Sequence, residues 1–198
     1  MSPRFLRFVT SLLLTVGVWQ SVASAQDQGS IRTLLLERDR DIKAVLARSP
    51  LSEQEKQSLR SIVNDLILFE EMGKTALGDY WTGLSDAQRK DFVETFSAIV
   101  REQSLANLDP YRARISIGAI AVDETRATAT TTALYKEVTT EVEYAMVMRD
   151  GQWWITDISL DGVSTAEGYA RSFQTAIRKR GFDGLMESLR KRLDRING

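Results

Sequence analysis

A chain of 198 residues, 43% hydrophobic, with 26 basic residues against 27 acidic ones, can bury one substantial core and has no general attraction to nucleic acid. It contains neither His nor Cys, which excludes disulfides, thiolate catalysis and thiolate metal sites. It also removes the commonest general base and zinc ligand near neutral pH.

Arg4 and Arg7, the apolar run from Phe8 to Val18, and Ala23-Ser24-Ala25 are the three parts of a secretory signal peptide. The run is shorter than the roughly 20 residues that span a bilayer. Cleavage after Ala25 is expected, leaving residues 26–198 as one domain. No Cys follows to accept a lipid anchor, and losing Arg4 and Arg7 leaves a modest acidic excess.

Next, Ile31, Leu34, Leu35, Ile42, Val45 and Leu46 form one stripe of a helix whose other face carries Arg32, Glu37, Asp39, Arg40 and Lys43. Ser49-Pro50 ends it, because proline disfavours helical angles in the residue before it. Ser52 with Glu55 is a capping box opening a second helix, with Leu59, Ile62 and Val63 inward. A short helix over Phe69 to Leu77 stops at Gly78. Ser85 with Gln88 then caps a long helix whose apolar face is Phe92, Val93, Phe96, Ile99, Val100 and Leu105. Asp109-Pro110 closes this helical half.

The period then changes to two. Arg114 to Ile120, Arg126 to Tyr135, Val138 to Arg149 and Gln152 to Leu160 read as four strands. Their turns are Asp123-Glu124, Lys136-Glu137 and Asp150-Gly151, so the sheet is an antiparallel meander. In the third strand Val142, Tyr144, Met146 and Met148 share a face opposite Glu141, Glu143 and Arg149. After Asp161-Gly162, Ser164 and Glu167 form a third box. Ala166, Tyr169, Ala170, Phe173, Ala176 and Ile177 line the following helix, Gly181 stops it in a left-handed cap, and Phe182 to Ile196 forms a last helix. The fold class is α+β, with N-terminal helices, a curved four-stranded antiparallel sheet, then C-terminal helices.

Two blocks carry a resemblance. D-x-x-x-D-G-V-S from Asp157, Y-x-x-x-F from Tyr169 and G-F-D-G-L from Gly181 form one. The other is F-E-E-M-x-x-x-x-L-G-x-Y-W from Phe69, followed by L-S-x-x-Q-R-x-x-F-x-x-x-F from Leu84. In order and spacing they resemble the MlaC-type (toluene-tolerance) periplasmic phospholipid-binding proteins. The resemblance implies a cone-like sheet, related to nuclear-transport-factor and cystatin-like folds, that encloses an apolar cavity against the helices. It implies a periplasmic address and a monomeric carrier of phospholipid with no cofactor. The implied partners are an inner-membrane ABC transporter with its MCE-domain component and an outer-membrane lipoprotein–porin complex.

By spacing alone, the apolar face of the third strand could be ordinary core, a partner interface or a pocket wall. The resemblance implies the pocket, with Trp81, Phe92, Phe96, Tyr144, Met146, Met148, Val163, Tyr169 and Phe173 as its expected lining. A periplasmic interaction module without lipid is the alternative. Related cone folds can also hold a catalytic Asp with a Tyr, for which Asp157, Asp161 and Tyr144 are the candidates. Turn and strand-end roles account for both aspartates equally, and no catalytic or metal site is expected. The basic runs Arg178-Lys179-Arg180 and Arg190 to Arg192 read as a solvated helix face or a docking surface.

Overall fold

The computed structural model describes residues 17–48 and 50–197. Residues 1–16 of the expected signal peptide and Ser49 of the Ser49-Pro50 stop lie outside the described residues. Helix α1 (Gly17–Leu46) runs through the expected cleavage point at Ala25. Helices α2 (Glu53–Asn64) and α4 (Asp86–Ser104) begin with complete capping boxes, Ser52 with Glu55 and Ser85 with Gln88. Each box satisfies two amide hydrogens that a helix start leaves free. Helix α3 (Phe69–Leu77) lies between them and ends at Gly78, followed by the 3-10 turn Gly78–Gly83. A second 3-10 turn, Asp109–Arg112, leads into the sheet.

The sheet is β1 (Arg114–Asp123), β2 (Arg126–Tyr135), β3 (Val138–Arg149), β4 (Gln152–Leu160) and β5 (Val163–Ser164), in sequential antiparallel order. It has five strands where four are expected. Asp161 and Gly162 both take positive φ, so the chain turns back on β4 for two more residues instead of leaving the sheet. The first strand also runs three residues beyond Ile120. Its alternation slips between Ile117 and Ile120, where one additional residue enters the β1–β2 register. A second slip falls between Ala145 and Met146 against β4. Such bulges bend and twist a sheet locally, and here they curve it around one face.

Two devices fasten the helices to that curved face. The segment before α3 pairs with β4 through Leu68 N to Ile155 O and Ile155 N to Leu66 O, both 2.8 Å. Helix α5 (Thr165–Asn197) lies across α3 and α4 and is broken at Gly181. Gly181 has φ 71° and ψ 176°. The break falls at the expected residue, but not as the expected left-handed cap. With an extended ψ this is a conformation that essentially only glycine adopts, and the chain resumes as helix at once. Gly73 of α3 is needed for another reason: a Cβ there would come within 2.9 Å of the Phe92 ring, so α3 and α4 approach closely only over a hydrogen.

With no cysteine, packing alone holds these layers. Phe92 and Phe96 on α4 are fully buried and stacked at 5.5 Å between centroids. Phe173 of α5 meets both edge-on, at 6.0 and 5.8 Å, and Phe69 and Tyr169 meet Phe96 likewise. Edge-to-face pairs add to the burial of apolar area itself. Phe96→Ala is expected to cost about 3–5 kcal/mol of stability in urea denaturation; a loss well under 1 kcal/mol would show that this cluster does not hold α4 to α5.

One surface tie reports on pH. Burial by itself would raise the carboxyl pKa of Glu71, but hydrogen bonds from Lys74 and from Arg149, at the end of β3, hold it below the usual value of 4.5. A lowered carboxylate stabilises the fold above its unfolded pKa, and this is lost as pH falls through the folded one. Glu71→Gln should therefore narrow the stability gap between neutral pH and pH below 4.5 in thermal melts. An unchanged gap would show that the tie carries no linkage.

Candidate functional site: an apolar trough on the curved sheet

The registers resolve the inner face of the sheet into rungs. One joins Val122, Ala127, Met146 and Ile155, and the next joins Ile120, Ala129, Tyr144 and Ile158. A third joins Ile117, Thr131, Val142, Leu160 and Val163 across all five strands. Ala127, Ala129 and Thr131 on β2 stay buried in all three rungs, while burial falls along the series on the β4–β5 side. Ala127, Met146 and Ile155 are buried, Tyr144 and Ile158 are partly covered, and Leu160 and Val163 are 50% and 60% exposed. The face is thus covered over β2 and at the Met146 end, and opens as an apolar trough towards a rim formed by Leu160 and Val163.

The nine residues expected to line a pocket separate along this gradient. Phe92, Phe96, Phe173 and Met146 occupy the closed end, where they belong to one buried cluster packed against itself. At this end the space expected to be hollow is filled by the protein's own side chains. Trp81 is buried on Phe92, and its ring lies 5.8 Å from Lys74 Nζ and 5.7 Å from the Arg89 guanidinium carbon. Those residues and Val93 line a cleft with charged walls. Tyr144, Met148 and Tyr169 are partly exposed against the cluster, and Val163 stands at the rim. Ile117, Val142, Ile158 and Leu160 complete the trough and are absent from the expected lining. Val142 was legible, since it shares the alternating face of Tyr144, whereas the β1 and β4 members lie beyond register slips.

Polar groups thread the covered side of the trough. Burial pushes the Tyr144 hydroxyl pKa up, opposed by a hydrogen bond with Thr131 of β2. Burial does the same at Tyr111, in the turn Asp109–Arg112, where a hydrogen bond with Ser104 opposes it and the nearby Tyr144 adds to it. Asn64 of α2, fully buried, donates from Nδ2 to Ser104 Oγ at 3.0 Å and to the Arg60 carbonyl at 2.8 Å, while its Oδ1 has no partner among the described residues. Tyr169 donates to Gln103 Oε1 at 3.1 Å. Hydroxyls and an amide oxygen thus lie here beside hydrocarbon walls, with the Arg60 guanidinium next to Asn64.

The two candidate catalytic aspartates are structural ties. Asp157 Oδ1 accepts from the Ile158 and Ala166 amides at 2.8 and 3.1 Å, and its Oδ2 accepts from Ser164 Oγ. It thereby clasps the start of α5 to β4, a capping role. Of the expected box here, Ser164 Oγ does accept from the Glu167 amide. Asp161 Oδ1 accepts from the Glu141 amide at 2.9 Å and closes the β3–β4 edge. Among the described residues no group of His, Cys, Asp or Glu could hold a metal ion, and no helix is long and apolar enough to cross a membrane. On the C-terminal helix, Arg190 is paired with Asp91 and Lys191 with Glu187, while Arg180 donates to Ser188 Oγ.

Residues 39–191 match the family described as MlaC protein, and the chain belongs to that family. No curated protein matches the sequence. The fold is similar to that of a phospholipid-binding protein from Ralstonia solanacearum solved in complex with a phospholipid. Identity is 19% and the TM-score 0.66, over 89% of this chain and 99% of that one.

Asp157→Ala should lower stability by about 1–2 kcal/mol, the cost of losing a helix cap. Calorimetry on the variant checks this, and an unchanged melting temperature would remove the clasp.

Proposed function

As a member of the MlaC family, this chain is, we propose, a periplasmic phospholipid carrier. The observation that carries the proposal is the trough itself, an apolar face that the helices cover at one end and leave open at the other. Soluble proteins bury such faces or use them. Burial of a CH₂ group is worth roughly 0.8 kcal/mol, so a sixteen-carbon chain in water represents on the order of 12 kcal/mol. A carrier must offer a comparably dry surface. Acyl chains lie along Ile117, Val142, Ile158 and Leu160, and the head group stays by the rim. The aromatic cluster remains packed, and the partly covered side chains Tyr144 and Tyr169 give way to admit the tails.

Export by the N-terminal signal peptide and its removal place the domain between two membranes. The chain exchanges lipid there with an inner-membrane MCE-domain ABC transporter and an outer-membrane lipoprotein–porin complex. The absence of a phosphate-binding glycine loop in the sequence agrees with energy being supplied by the transporter. Binding and release without bond chemistry also suit a protein whose candidate catalytic carboxylates are occupied as backbone acceptors.

Phospholipid extracted from the purified protein and identified by mass spectrometry is the direct test. Val142→Lys, which sets a charge in the partly covered trough, is expected to cut lipid occupancy several-fold while shifting the melting temperature little. A folded variant that stays fully loaded would exclude the trough, and wild-type protein that never carries lipid would sink the carrier reading.

A further inference from the structure

The last turn of α4 is a junction in which four consecutive residues each bond to another part of the fold. Arg101 donates to Asp65, at the end of α2, at 3.1 Å, and Glu102 accepts from Arg60 of α2 at 2.9 Å. Ser104 accepts from Asn64 of α2 at 3.0 Å. Gln103 reaches α5 instead, where its Oε1 accepts from the Tyr169 hydroxyl at 3.1 Å. The three ties to α2 around Gln103 hold this turn in place. Gln103 is therefore a fixed acceptor, and Tyr169 is the partner that moves.

Tyr169 stands where packed core meets trough. Two of its neighbours are rings of the buried cluster: Phe96, met edge-on at 5.0 Å, and Phe173, tilted at 5.3 Å. One turn earlier α5 is fastened to the trough itself. Thr165 Oγ1 donates to the Ile158 carbonyl at 2.7 Å, and the Ala166 amide donates to Asp157 Oδ1 at 3.1 Å. Ile158 is a trough wall and shares its rung with Tyr144. Phe92, Phe96 and Phe173 are sealed, whereas Tyr169 is only partly covered. Of these rings it is the one that an entering hydrocarbon tail displaces at least cost. Packing by itself lets a ring slide. A hydrogen bond is directional, and the hydroxyl has to release Gln103 before the ring leaves.

We infer that the Tyr169–Gln103 hydrogen bond is the latch of the empty carrier. Gln103 is a positioning residue that holds the ring across the inner end of the trough, and the bond is present without lipid and broken with it. The inference rests on the carrier reading and adds to it the pair that sets the threshold for loading. The consequence is the reverse of an ordinary binding contact. An interaction made only in the empty form opposes loading, so its removal tightens lipid binding, by about fivefold for one neutral hydrogen bond of ordinary worth. For the same reason its loss destabilises the empty protein and leaves the loaded protein unchanged.

The test uses purified protein stripped of lipid, displacement of a fluorescent acyl probe by dioleoyl phosphatidylglycerol, and thermal melts with and without that lipid. Tyr169→Phe and Gln103→Leu should each bind the lipid about fivefold tighter than wild type. The double variant should bind no tighter than either, because both changes remove one and the same bond. Gln103→Glu, whose carboxylate still accepts from the hydroxyl, should bind like wild type. Stripped Tyr169→Phe and Gln103→Leu should melt below stripped wild type, and their loaded forms should melt together with loaded wild type. Unchanged or weaker binding in either single variant would overturn the latch. Gains that add in the double variant, or a melting loss of equal size with and without lipid, would overturn it too. Wild-type protein that binds no lipid would remove the carrier reading and the latch together; wild-type binding with no gain in the variants would remove the latch alone.

Discussion

The structure depends on the aromatic contact between α4 and α5. Phe92 and Phe96 stack on one helix, and Phe173 and Tyr169 of the other close over them. In a chain without cysteines no covalent tie substitutes for this packing. The contact also sets how far the helices extend over the sheet. Helices pinned at that point cover the rungs of Met146 and Tyr144, and they leave Leu160 and Val163 exposed at the far edge of the sheet. The apolar trough is thus a geometric consequence of where the aromatic cluster sits.

The curvature of the sheet supplies the other half of the site. A flat sheet under the same helices would leave its far rungs facing open water. The slips in β1 and against β4 bend and twist the face locally. The small buried residues Ala127, Ala129 and Thr131 on β2 deepen the floor between them. Asp157 then fixes the start of α5 to β4, so that the lid and one wall of the trough are anchored at one carboxylate.

On the proposed function, a carrier for lipid has to keep its apolar lining stable in water while empty and yieldable when loaded. The burial gradient serves both demands. The closed end behaves as ordinary core, with fully buried rings and little room. The open end consists of side chains already partly in water, whose displacement costs less than disrupting a packed interior. The buried Tyr111 hydroxyl hydrogen-bonds with Ser104 and that of Tyr144 with Thr131.

Much of the fold was legible in the residues. Ser52 with Glu55, Ser85 with Gln88, the alternation of β3 and the turn pairs Lys136-Glu137 and Asp150-Gly151 are local signals, and local geometry decides them. The family resemblance was likewise legible, because its motifs are contiguous. The sequence determined the elements, their order and their inward faces. Only the tertiary structure decided which inward residues are core and which are wall. Phe92 and Val142 both satisfy an apolar periodicity, yet one is sealed by α5 and the other faces a trough, since coverage depends on where a distant helix ends. The slips in β1 and β4 and the meeting of Gln103 with Tyr169 have the same origin: they arise from chain segments far apart in sequence, and no periodicity along the chain records how such segments meet.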